Sequence, residues 1–451
     1  MMATSNMKRK AYDRMLEWKD TRKGSTALLI DGARRVGKSH LVKEFGKNEY
    51  RSHILIDFNN VHPDIKDTFE KDSHNLDELF LKLSTFYGTK LYERESAIIF
   101  DEVQCYPKAR GLIKYLVEDG RYDYIETGSL MSIRRNITGI VLPSEEEHLA
   151  LDPMDFEEYL WAFGDETTMP FIRDRFNRLE PSGDAIHRKI MNSFRAYMLV
   201  GGMPQAVLEY VTSRDLSRVD RIKKDILDLY RRDVARFATG YETKVTAIFD
   251  TIPSQLSKKE KKFSLASINK EARMRAYEDA FMWLADGRII NQCFNSTDPS
   301  FGLTMNLDHM TQKCYMADTG LLMTHSISLR RTESADLHKS ILFNKLGINE
   351  GMFAENIVAQ MLHSNGHDLY FYSRNDADNS ENRMEIDFLI RVAGKICPVE
   401  VKSSVYWRHA SLDKFTQKFK GRIGQPYILY QKDLMVKDGI IHLPLYMAEL
   451  L

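Results

Sequence analysis

The segment Thr26-Ala27-Leu28-Leu29-Ile30-Asp31-Gly32-Ala33-Arg34-Arg35-Val36-Gly37-Lys38-Ser39 decides how the first part of this chain is read. Gly32 and Gly37 stand with four residues between them, and Lys38-Ser39 follows at once. That spacing is the pattern of a phosphate-binding loop, which requires a strand before it and a helix after it. Ala27 to Ile30 supplies the apolar strand, and Ser39 to Phe45 reads as the helix. A triphosphate needs many donors close to its oxygens, and glycine lets backbone amides approach without a side chain in the way. Gly32, Ala33, Arg34, Arg35, Val36, Gly37, Lys38, Ser39 and His40 are therefore the candidate ATP-binding residues. Lys38 would lie against the outer phosphates, and the Ser39 hydroxyl would ligate the Mg2+ that bridges them. The alternative is a tight glycine turn followed by a chance Lys-Ser.

Outward from the loop, short apolar runs alternate with helix-length segments as far as about residue 151. Strands are expected at Thr26 to Asp31, His53 to Phe58, Ala97 to Asp101 and Tyr122 to Thr127, with a weaker one at His148 to Leu151. A crossover helix is expected over Ala109 to Val117. The alternation is that of an α/β fold, a mostly parallel sheet covered by helices.

Hydrolysis asks for more than a loop, namely a second magnesium contact and a group to polarise the attacking water. Ser96-Ala97-Ile98-Ile99-Phe100-Asp101-Glu102 is an apolar strand ending in two carboxylates. Asp101 would hold Mg2+ with Ser39, and Glu102 would polarise the water. One strand later, Glu126-Thr127-Gly128-Ser129 places hydroxyls at a strand's carboxyl end, where open sheets of this class bind ligands. Thr127 or Ser129 would sense the outer phosphate; a plain turn is the alternative. Arg134, Arg135, Arg231 and Arg232 are candidate donors of a transition-state arginine, supplied across subunits if the protein forms homo-oligomers.

The chain has 451 residues, enough for two or three domains. Its 64 basic residues balance 64 acidic ones, so no overall field would hold it on DNA or an anionic membrane. Local basic stretches, Lys258 to Lys262 and Lys402 to Arg422, are the candidate polyanion contacts. No membrane-length apolar run and no secretion-type start are present, so a soluble cytoplasmic protein with no membrane partner is expected. Cys105, Cys293, Cys314 and Cys397 follow neither a zinc spacing nor a disulfide framework.

After residue 152 the pattern becomes helical through Phe237, interrupted at Gly201-Gly202-Met203-Pro204. From Thr246 to Asn295 come helices and then a strand after Gly287, the order of a small winged-helix module. Ser326 to Lys339 reads as a linker. The expected domains are 1–163, 164–325 and 349–451, with 326–348 between the last two. In the last, Met384 to Ile390 and Ile396 to Lys402 form a hairpin. Asp387 shares a face with Glu400 and Lys402 only if the turn has an even residue count, for example Gly394-Lys395. Asp387 and Glu400 could then share a magnesium ion against a phosphodiester, with Lys402 stabilising charge or orienting the attacking water. Polar hairpin faces often carry such residues without chemistry. Pro398 suggests an edge or interrupted strand.

Several of these motifs together resemble a known family. Gly-Ala-Arg-Arg-Val-Gly-Lys-Ser at 32–39, Ile98 to Gln104, Thr127 to Ser129, Gly201 to Pro204, Tyr230 to Asp233 and Asp318-Thr319-Gly320-Leu321-Leu322 are similar to the prokaryotic AAA-type ATPases that carry a C-terminal nuclease-like domain of unknown function. The resemblance implies a P-loop AAA-type core, a helical and winged-helix middle region and an α/β nuclease-like C-terminal domain. Asp387, Glu400 and Lys402 resemble the nuclease superfamily marked by Asp followed by Glu-x-Lys, and Glu355 matches the acidic residue on that superfamily's first core helix. The expected function is an ATP-driven switch or motor acting on DNA. An ATP-gated nuclease and a non-cleaving regulator that binds DNA or a protein partner are the alternatives.

Overall fold

The computed structural model describes residues 7–128, 144–258, 260–299, 302–330, 350–374, 383–403 and 409–451. It divides into two units, Lys8–Asp152 and Pro153–Leu451.

In the first unit, strands β1 (Ala27–Gly32), β2 (Ser52–Asp57), β3 (Ser96–Asp101), β4 (Asp123–Gly128) and β5 (Glu146–Leu151) form one sheet in the order β2-β3-β4-β1-β5. Every pairing is parallel. Parallel strands require crossovers, so helices cover the faces of the sheet and its inner strands are buried along their length, whereas the edge strands β2 and β5 are only partly buried. β1, β3 and β4 are buried at every position. The helices Pro63–Lys71 and Leu76–Tyr87 bury Ile65, Phe69, Leu79, Phe80 and Leu83 in the same core as Ile54, Ile56 and Phe100. The expected crossover over 109–117 is two short helices, Pro107–Gly111 and Ile113–Asp119, which meet at Leu112.

The second unit opens with the helix Phe156–Ala162, whose N-terminus is closed by reciprocal bonds between Asp155 and Glu158. Helices follow to Leu256. Beyond them, β6 (Ile290–Ser296), β7 (Leu307–Met316), β8 (Leu369–Arg374), β9 (Met384–Val392), β10 (Lys395–Val401), β11 (Tyr427–Tyr430), β12 (Met435–Lys437) and β13 (Ile440–Pro444) form a mixed sheet in the order β12-β13-β11-β10-β9-β8-β6-β7. The strand after Gly287, expected inside a small winged-helix module, is β6; it pairs with β7 and also in parallel with β8, so the β6–β7 pair is one end of this sheet. The expected linker from 326 begins inside the helix Thr319–Arg330, and 331–349 lie outside the described residues.

Two motifs that looked isolated in the sequence meet here. Asp318 is buried, and its carboxylate accepts from the amide of Gly202 at 2.6 Å and of Leu321 at 2.7 Å. Gly202 returns its carbonyl to the amide of Met154 at 2.7 Å. A Cβ on Gly201 would stand 2.4 Å from Asp318 Oδ1, and one on Gly320 would stand 2.5 Å from Gly201 Cα. The glycines are required by close backbone approach, and Asp318 satisfies amides that the approach would strand.

Gly202→Ala is expected to destabilise the chain by roughly 3 kcal/mol, because the new methyl would meet backbone atoms that cannot yield. Its Cβ would lie 2.1 Å from Met154 O. Gly351→Ala, with Ser403 Oγ at 3.6 Å as its nearest neighbour, should be neutral or mildly stabilising in its helix. Urea unfolding of the two variants checks this; equal midpoints would contradict the packing account.

Candidate functional site

The phosphate loop leaves the carboxyl end of β1 and enters the helix Lys38–Glu49. Gly37 adopts φ 102° and Arg35 φ 70°, conformations that turn successive amides toward one side. A Cβ on Gly32 would collide with Leu151 O at 2.4 Å. Lys38 is buried, and its ammonium folds back onto the loop, donating to Gly32 O at 2.9 Å and Ala33 O at 3.2 Å. Burial draws its pKa below the usual lysine range, against the pull of Glu102 and Asp101. A phosphate arriving at the loop would supply the anionic partner this buried cation needs.

The sheet order sets the rest. β4 lies between β1 and β3, so three strand ends meet around the loop. Ser39 Oγ donates to Asp101 Oδ1 at 2.9 Å, and Thr127 Oγ1 donates a short bond to the same oxygen. The amide of Glu102 donates to Thr127 Oγ1 at 3.1 Å. Burial raises the Asp101 pKa, while the two hydroxyls act to lower it. Glu102 sits at φ 55°, ψ 48°, a left-handed conformation that costs a non-glycine residue about 1 kcal/mol or more. Its carboxylate accepts a short bond from Gln104 Nε2. Ser39 and Asp101 fit Mg2+, a hard cation taking few protein oxygens and the rest from phosphate and water. Ser129, Arg134 and Arg135 lie outside the described residues. Arg231 is engaged by Asp228 at 3.2 Å and Asp250 at 3.0 Å, whereas Arg232 is exposed.

In the second unit the hairpin has the even count its face requires. The turn residues are Ala393 and Gly394, at φ 47° and 80°, rather than Gly394-Lys395. Val392 pairs with Lys395 and Phe388 with Val399, so one further step sets Asp387 opposite Glu400. β10 is an interior strand, not the edge that Pro398 suggested. Pairing with β11 starts only at Val399, so the missing N–H of Pro398 falls where no ladder bond is made.

Glu355, on the helix Glu350–Ser364, does not reach Asp387 directly. It meets Lys313 and Tyr315 of β7. Lys313 Nζ lies 3.2 Å from Glu355 Oε1, 2.9 Å from Glu385 Oε1 and 3.5 Å from Asp387 Oδ1. Lys261 closes a short ion pair on the other Glu355 oxygen, so this lysine of the expected polyanion surface is spent inside the protein. Burial acts to raise the Glu355 pKa, yet Lys313 and Lys261 hold it down at about 2. Asp387 Oδ2 accepts from the Val401 amide at 2.9 Å, and Glu400 takes a short bond from Lys402. Lys313, Tyr315 and Glu385 were not singled out in the sequence, and Lys261 was read there only as part of a polyanion surface. The signal was present: Lys313 and Tyr315, two apart where the strand passes into Cys314-Tyr315-Met316, share one strand face.

Among the described residues, no group of three or more His, Cys, Asp or Glu side chains is set to hold a metal, and no helix is long and apolar enough to cross a membrane.

Three family models match parts of the chain. Residues 24–160 match the family described as AAA domain, which supports an AAA-type P-loop ATPase. Residues 191–333 match Domain of unknown function (DUF8612), and 350–447 match Domain of unknown function (DUF4143). No curated protein matches the chain.

Burial lifts the Glu400 pKa to about 7 from an ordinary 4.5, with Asp387 adding to the lift and Lys402 and His409 opposing it. The folded state therefore binds this proton more tightly, so its stabilisation is complete below pH 4.5 and lost as pH rises through 7. Wild type should lose stability relative to Glu400→Gln across that window. Urea midpoints of the pair at several pH values test it, and a difference that stays flat would refute the assignment.

Proposed function

We propose that this chain binds ATP with Mg2+ and hydrolyses it, and that the hydrolysis works as a switch or motor. The observation that carries this reading is the chain Ser39–Asp101–Thr127–Glu102, which links the phosphate loop, β3 and β4 through bonds at 2.9 Å, a short contact and 3.1 Å. Loop amides and Lys38 would bind the phosphates, and Ser39 and Asp101 would hold the magnesium ion. Bound there, Mg2+ neutralises charge between the outer phosphates. Glu102 accepts a proton from, or orients, the attacking water. Thr127 fixes the Asp101 carboxylate and the Glu102 backbone together, so the two acids keep distinct tasks. DNA is the target class this reading names first, with a protein target and homo-oligomeric arginine supply as the further expectations.

Steady-state phosphate release and equilibrium nucleotide binding test the roles separately. Lys38→Ala should lose both. Glu102→Gln should keep ATP binding while turnover falls on the order of 100-fold or more, the usual contribution of a positioned base. Wild-type turnover in Glu102→Gln would remove Glu102 from the chemistry.

A further inference from the structure

The Glu355 cluster has an unusual centre. Three carboxylates, Glu355, Glu385 and Asp387, converge on one point, and that point is occupied by the ammonium of Lys313. The lysine side chain is 1% exposed. An ammonium so far from water is tolerable only when paired and hydrogen-bonded, and here it has three oxygens at 2.9 to 3.5 Å. The Phe371 ring, 5.0 Å from Nζ, adds a favourable face. Burial alone would lower the lysine's pKa, but the carboxylates outweigh it and push it well up, so the group stays charged.

Glu400 Oε2 is buried without a partner, but one oxygen does not hold a magnesium ion, and the oxygens of Glu355 and Asp387 and Glu400 Oε1 are engaged. Tyr315 and Lys261 bond Glu355, the Val401 amide bonds Asp387 Oδ2, and Lys402 bonds Glu400. A magnesium ion would need oxygens at about 2.0–2.1 Å in near-octahedral array and would have to share this space with Lys313. The lysine side chain is enclosed, 1% exposed and held by three carboxylates, and its backbone is fixed as well. Its backbone lies in β7, paired with Cys293 of β6 on one side and bridged to Lys262 on the other. The residues present therefore do not fit a divalent metal.

We propose that Lys313 is the resident cation of this carboxylate cluster, taking the place a divalent metal would need and closing the site to Mg2+ and Mn2+. The cluster is a metal-independent structural site that ties β7 and the loop at Lys261 to the helix Glu350–Ser364 and to β9. Metal-dependent phosphodiester cleavage at Asp387 has no place in it. This assignment is independent of the ATPase reading.

Mn2+ binding to the nucleotide-free full-length chain, followed by electron paramagnetic resonance, tests it. With Lys313 intact, binding should be the same in wild type and Asp387→Asn. Lys313→Met should gain about one Mn2+ per chain, with affinity up on the order of 100-fold, and should lose it again when Asp387→Asn is added. A wild-type Mn2+ site that disappears in Asp387→Asn overturns the proposal, and this arm decides even if Lys313→Met does not fold. A folded Lys313→Met that binds no more Mn2+ than wild type overturns it as well.

Discussion

A charge withdrawn from water must find its partner inside the protein, or change protonation, and both sites of this chain are arranged by that requirement. At the phosphate loop the partners are neutral and replaceable. Lys38 rests on two carbonyls and Asp101 on two hydroxyls, groups that can yield to phosphate and magnesium without leaving an uncompensated ion behind. In the second unit the partners are charged and permanent. Glu355 has lysines on both oxygens, and Lys313 has three carboxylates. The first arrangement rests its ions on neutral groups, and the second sets its ions against one another.

What makes the first site possible is the sheet order. In a parallel sheet every carboxyl end opens on the same edge, and inserting β4 between β1 and β3 brings Thr127 within reach of Asp101. With β3 next to β1 instead, no third strand end would stand between loop and carboxylate to hold Glu102 and Asp101 in separate orientations. The left-handed backbone at Glu102 stands at the same strand end, directly after Asp101.

How much of this could be read in advance depended on whether the determinant was local. The loop, the apolar strands and the Asp101-Glu102 pair are contiguous in sequence and obey short-range rules of spacing and burial, and they were legible. Gly201-Gly202 and Asp318 were visible as motifs, but their meaning is a contact across more than a hundred residues that no periodicity reports. The hairpin parity was legible as a condition that more than one turn would meet, and the turn that meets it is Ala393-Gly394. Pro398 pointed to an edge because a local rule about missing donors does not know where pairing with β11 begins. Lys313 was missed for a similar reason: a lysine inside an apolar strand signals a buried partner, and the partners come from two other elements.

The position of Lys313 also bears on where domains divide. The lysine and Tyr315 come from β7, whereas Glu355, Glu385 and Asp387 come from residues beyond 349. A boundary between 325 and 349 would therefore separate a buried glutamate from both of its cations, the most costly kind of cut a core can receive. β6 joins the same sheet through β8, so backbone pairing crosses that boundary too. The charge cluster and the ladder make one argument. Residues 290–316 and the C-terminal strands share a core because each holds the half of an ion pair that the other cannot bury alone.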